Sequence, residues 1–181
     1  FRLSSGLFPH KSNPKVQSYD YDFAIDLLKQ IGKKSKTFSQ RLTFHPGQYN
    51  VVGTPYPEKF KQTCEELKYH ADVLDLMELD QNSVMVVHGG GTYNDKKATI
   101  ERWCRQFTLL PENVQKRLVL ENCEKSFSIV DCLEISKKIT SQESKIHHNK
   151  LSKIYIPEIA KLLIEQISFE ARRSEYVDTK S

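Results

Sequence analysis

Apolar positions along this chain alternate between two periods. Short β-prone runs, Leu42-Thr43-Phe44, Val84-Met85-Val86-Val87 and Leu118-Val119-Leu120, are each followed within a few residues by a turn. Between them, apolar residues recur at steps of three and four, the spacing of a helix with one buried face. Phe23, Ala24, Leu27, Leu28 and Ile31 form the first such stretch, which Gly32 is expected to end. Phe60, Cys64, Leu67, Ala71, Leu74 and Met77 form the second, with Lys59, Lys61, Glu66 and Lys68 on its solvated face. Ile100, Trp103, Cys104 and Phe107 form the third, capped by Asn94 or Asp95 and interrupted by Pro111. Ile129, Cys132, Leu133 and Ile139 form the fourth, opened by Ser126 or Ser128. Residues 1–5 read as a further strand that starts without a lead-in, so a natural form extending upstream is expected. Strand and helix thus alternate, the order that lays strands parallel and covers them with helices. Beyond this point the rhythm stops. Residues 140–151 are polar and read as a loop, and the apolar stretch 154–167 fits helix or strand.

The strand ends carry the chemistry. The first full run delivers His45 into Pro46-Gly47, the second His88 into Gly89-Gly90-Gly91, and the third Glu121 into Asn122. In a β/α series such ends converge on one face of the sheet or barrel, the face that holds active sites. Imidazole and carboxylate are donors for borderline divalent metals, which suit phosphodiester hydrolysis. A single strand-end histidine is more often structural; three donors at three strand ends favour a site. The glycine run lacks the Lys-Ser/Thr of a phosphate loop and the spacing of a dinucleotide turn, so it reads as a tight turn. Asp95-Lys96-Lys97 reads as a helix start on the surface. Gln48-Tyr49 pairs an amide with an aromatic on a loop of the active face, where it can hydrogen-bond to and stack on bases. From the residues alone, packing of the loop on its neighbours is the preferred reading of the pair.

Composition narrows the class. The 181 residues have the size of one domain, and 38% hydrophobic with 28% charged residues describe a globular chain. No apolar run approaches the length of a membrane span. The net charge of +4 permits a polyanionic partner without requiring one. Four cysteines without C-x-x-C spacing read as reduced thiols in an intracellular setting.

Four blocks resemble the signature of the UV-damage endonuclease family, in the family's order. They are Arg2-Leu3-Ser4-Ser5-Gly6-Leu7-Phe8-Pro9, Phe44-His45-Pro46-Gly47-Gln48-Tyr49, Val87-His88-Gly89-Gly90-Gly91-Thr92-Tyr93-Asn94-Asp95-Lys96 and Arg117-Leu118-Val119-Leu120-Glu121-Asn122. The resemblance implies an α/β fold, a TIM-type (β/α) barrel related to endonuclease IV. It implies nicking of damaged double-stranded DNA immediately 5′ of UV photoproducts and other lesions, to start excision repair. By the same resemblance His45, His88 and Glu121 are metal ligands for two or three divalent ions, manganese first, with zinc or magnesium as alternatives. Gln48 and Tyr49 then wedge into the duplex from the undamaged side, and Lys11, Lys96 and Lys97 meet phosphates. A monomer is expected.

The departures from the family are specific. Its first strand has no counterpart before Phe1, and no Asp-x-x-His occurs anywhere in the chain. His147 or His148 is the candidate for a later ligand histidine, with a solvated loop as the alternative, and Glu170 for the terminal carboxylate. Because such barrels need about 250 residues, the chain is expected to form an incomplete barrel, one domain lacking the first strand and part of the C-terminal third. Two other readings stay open. One is a sugar isomerase or epimerase of the same barrel type; the other is a catalytically impaired remnant that binds DNA.

Overall fold

The computed structural model describes residues 1–123 and 125–146. Four strands, β1 (Arg2–Leu3), β2 (Thr43–Phe44), β3 (Met85–His88) and β4 (Leu118–Glu121), form one parallel sheet in chain order. Helices α1 (Ile25–Thr37), α2 (Pro57–Leu76) and α3 (Lys96–Phe107) connect them in turn, with a short α4 (Glu112–Gln115) before β4 and α5 (Ile129–Ile146) after it. Parallel neighbours need such crossovers, and the helices cover the face of the sheet that carries Met85 and Val87.

One continuous core lies between the sheet and the helices. Phe44 of β2 and Met85 and Val87 of β3 are buried in it together with Leu67, Ala71 and Leu74 of α2 and Trp103, Cys104 and Phe107 of α3. In β3 burial alternates, so Met85 and Val87 face the helices while Val86 and His88 share the opposite face. Burial of each large side chain contributes about 1.5–3 kcal/mol. The caps are as the sequence implies: the Asp95 carboxylate accepts from Ala98 N–H at 2.9 Å. At α5, Asp131 accepts from the Ser128 N–H at 2.7 Å and the Ser128 hydroxyl at 2.8 Å.

Three expectations are corrected. Gly32 does not end α1; it lies inside the helix, where a Cβ would stand 1.8 Å from the Met77 carbonyl oxygen. The glycine is there so that α1 can lie against the end of α2. The helix stops further on, where Ser39 takes a left-handed conformation (φ 53°) and Gln40 N–H returns to Ser35 O. The buried stripe of α1 accordingly runs through Leu28, Gly32 and Ser35, leaving Phe23 and Leu27 exposed. Residues 140–146 are helical rather than loop. Thr140 and Ser141 donate their hydroxyls to Ser136 O and Lys137 O, satisfying themselves inside the helix.

Candidate metal centre

His45 directly follows β2, and its backbone is held from two sides. Its carbonyl accepts from Ser5 Oγ at 3.4 Å and from Arg2 Nη2 at 3.5 Å. The segment carrying Ser5 is in turn pinned to α2 by Tyr69, whose hydroxyl accepts from Phe8 N–H and donates to Ser5 O. Burial of that phenol pushes its pKa up to about 12. His88 closes β3 and Glu121 closes β4, and the two are direct partners in the parallel register. Strand pairing therefore delivers the two side chains side by side, about 4.8 Å apart at the backbone.

The three side chains meet at one point. Glu121 Oε2 lies 2.9 Å from His45 Nε2 and 3.3 Å from His88 Nδ1. The imidazole rings stand 5.0 Å apart at 67°, and ligand atoms of all three residues fall within 4.8 Å of one another. Among the described residues this is the one such cluster of His, Cys, Asp and Glu. The side chains are 18%, 35% and 40% exposed for His45, His88 and Glu121, so solvent and a docking phosphate can reach them.

The donor set fits a divalent cation. His45 Nδ1–H points to the Pro46 carbonyl at 3.3 Å, a backbone partner of the kind that orients ligating histidines. In that tautomer Nε2 presents a lone pair to the Glu121 carboxylate at 2.9 Å. Two acceptors facing each other at that distance require a proton or a cation between them. Among the described residues the centre has three protein donors, the number that a catalytic zinc site uses.

Packing explains the glycines after His88. A Cβ on Gly89 would stand 2.6 Å from the Phe127 ring, and one on Gly90, where φ is 85°, 2.2 Å from Val51. The tight-turn reading thus accounts for both. Gln48 and Tyr49 occupy an exposed turn that Asn50 closes through its N–H to Gly47 O, and Tyr49 is 86% exposed. The three lysines fare differently. Lys97 is exposed, and Lys96 pairs with Asp131 at 3.0 Å. The Lys11 ammonium is engaged in its own loop, bonded to Tyr19 O and lying 4.7 and 4.4 Å from the Tyr19 and Tyr21 ring centres. His147, His148 and Glu170 lie outside the described residues.

His70, which the sequence analysis passed over, is fully buried between Phe44 and Tyr69. Its Nδ1–H donates to Glu66 O at 2.8 Å, Nε2 has no hydrogen-bond partner, and burial pushes its pKa down to about 4. It is a neutral core histidine, and its place in the helical pattern of α2 was the available signal. The four cysteines are free thiols.

Parallel strands in chain order, with donors gathered at their carboxyl ends, define the class: an α/β chain of the TIM-barrel type, with an incomplete barrel and a candidate metal centre at its mouth. The family model described as UV-endonuclease UvdE matches residues 1–153, and the chain belongs to that family. It is 41% identical over 180 residues to a protein of Acanthamoeba polyphaga mimivirus named putative UV-damage endonuclease, covering 96% of this chain and 54% of that one. To the UV-damage endonuclease of Schizosaccharomyces pombe it is 35% identical over 142 residues, 76% of this chain and 24% of the relative. The crystal structure of SacUVDE superposes with a TM-score of 0.73 at 39% identity, over 77% of this chain and 48% of that one. The chain therefore spans about half the length of these relatives, or less.

Proposed function

We propose that this chain carries part of the catalytic face of a metal-dependent DNA repair endonuclease, which cuts the phosphodiester backbone 5′ of UV photoproducts and other lesions. The observation that carries the reading is the convergence of His45, His88 and Glu121 at the ends of β2, β3 and β4 in a member of the UvdE family. A divalent ion, manganese by first choice, would be held by His45, His88 and Glu121, and would supply Lewis acidity towards the scissile phosphate and lower the pKa of the water nucleophile. The protein's own part is placement. His45 and His88 offer nitrogen donors, and Glu121 adds a carboxylate oxygen whose charge offsets that of the ion. Gln48 and Tyr49 sit on the rim, where they fill the gap left by an extruded, poorly stacked nucleotide. Lys97 and Lys96 meet phosphates and contribute affinity without sequence choice.

A sugar isomerase would keep its aromatic groups around a closed polar pocket; the exposure of Tyr49 favours a macromolecular partner instead. The test is metal content of the purified chain together with nicking of a lesion-bearing duplex in manganese. Bound metal and a cut 5′ of the lesion are expected. Metal without cutting would reduce the chain to a DNA-binding remnant, and no metal at all would overturn the reading.

A further inference from the structure

On the turn that follows His88 and the segment that leads into α2 lies a group of aromatic and cationic side chains that the proposed chemistry leaves unused. Tyr93 follows the glycine turn after His88, and its ring lies 3.9 Å from where a Cβ on Gly91 would stand. It meets Tyr56 edge to face, with ring centres 6.1 Å apart at 78°. Each ring has a cation of its own: Lys59 Nζ is 5.0 Å from the Tyr56 centre, and Arg102 Cζ is 5.6 Å from that of Tyr93. Both rings are nevertheless open to solvent, Tyr56 at 53% and Tyr93 at 37%. Tyr93 and Asn94 both take left-handed backbone conformations, with φ of 51° and 63°. Asn94 adopts this region readily, whereas the bulky Tyr93 is strained there.

The group is built on rigid supports. Arg102 donates from Nε to Gly53 O at 2.8 Å and from Nη2 to Thr99 Oγ1 at 2.9 Å. Gln106 Nε2 donates to Thr54 O at 3.1 Å. The loop that leads from the Gln48-Tyr49 turn to Tyr56 is thereby tied to α3, and Gly53 approaches the Trp103 ring so closely that a Cβ would stand 2.8 Å from it. Tyr49 and Tyr56 are thus carried by one anchored loop, and Tyr93 by the turn that also carries the His88 donor. Exposed π-faces interleaved with cations match a nucleic-acid strand whose bases are unstacked: the bases lie on the rings and the phosphates meet the cations.

We propose that Tyr56 and Tyr93, with Lys59 and Arg102, form a platform for a locally unstacked DNA strand, an inference that rests on the DNA-cleaving reading of the candidate metal centre. The tyrosine pair takes a base, and Lys59 takes a neighbouring phosphate. Arg102 holds the platform together while lending its charge to it.

The test is binding of a short single-stranded oligothymidine to the full chain, followed over a salt series. Replacing both rings, Tyr56→Leu with Tyr93→Leu, is expected to weaken binding about tenfold to a hundredfold while leaving the salt slope unchanged. Tyr56→Phe with Tyr93→Phe keeps the rings and retains the affinity. Lys59→Ala is expected to flatten the salt slope by about 0.7, one phosphate contact on a single strand. Unchanged affinity of the leucine pair overturns the platform alone. If the leucine pair does not fold, Lys59→Ala decides, and an unaltered slope overturns the platform. An unmodified chain that binds neither oligothymidine nor lesion-bearing duplex overturns the platform and the DNA reading together.

Discussion

Strand β4 begins beside one polar cluster and ends in another, and the two are opposites. At its start, Arg117 is 5% exposed and every arm of its guanidinium is occupied. Nε and Nη2 donate to Asp75 Oδ1 at 3.1 and 2.6 Å, Nη2 also to Leu79 O at 2.7 Å, and Nη1 to Asp80 O and Ser83 O at 2.5 and 3.0 Å. These acceptors lie at the end of α2 and in the turn before β3, so the arginine locks both to β4. At the other end, Glu121 meets two imidazoles that are partly open to solvent and have few partners beyond this cluster. A fully satisfied cluster holds a fold together; a cluster with lone pairs facing one another is prepared for something that is not protein. This follows the division of labour of (β/α) barrels, with stability at the amino ends of the strands and chemistry at the carboxyl ends.

The largest effect should come from the satisfied end. Arg117→Met strands three carbonyls without their donor, while Asp75, partly exposed, keeps Asn113, so denaturant unfolding should show a loss of about 3 kcal/mol or more. Metal bound per folded chain should not change. If instead metal falls and stability holds, the two ends have been assigned the wrong way round.

His70, packed against Phe44 of β2, is expected to make stability depend on pH. Its folded-state pKa of about 4 lies below the unfolded value of 6.5, so the folded protein favours the neutral ring. Its stabilising contribution is complete above pH 6.5 and is lost as the pH falls from 6.5 towards 4, at most about 3 kcal/mol. His70→Leu, similar in volume and unable to titrate, should flatten the unfolding free energy across that window. A slope that survives the substitution would trace the pH dependence to other groups.

The contrast between the ends was only half legible in the residues. The donors could be read because each is written locally: an apolar run, a His or Glu, then a turn. Strand register did the rest by setting His88 opposite Glu121. Arg117 could not be read, since its partners lie on a distant helix end and turn that only folding brings together. The end of α1 was misread because Gly32 serves a close helix contact, while the left-handed stop falls on Ser39, a residue that does not announce it. The extension of α5 was missed because Thr140 and Ser141 look like loop residues until their hydroxyls are seen bonded within the helix. Lys11 reads as a phosphate contact, and only the fold shows that its ammonium lies against Tyr19 and Tyr21.

A smaller effect sharpens the open end. Gln48→Ala with Tyr49→Ala should weaken binding to damaged duplex by about one to two orders of magnitude, the value of one lost base stack. At one fixed salt concentration the preference over undamaged duplex should shrink with it. Because Tyr49 is 86% exposed, stability should move by no more than about 0.5 kcal/mol. An unchanged preference would leave the pair as a loop turn without a part in recognition.

The most direct measurement of the central claim is equilibrium binding of manganese to the purified chain and to His45→Ala, His88→Ala and Glu121→Ala, with thermal unfolding of each recorded alongside. Each substitution should remove bound metal while the metal-free proteins unfold at nearly the temperature of the unmodified metal-free chain. Equal metal binding by all four proteins, or a large loss of stability without loss of metal, would contradict it.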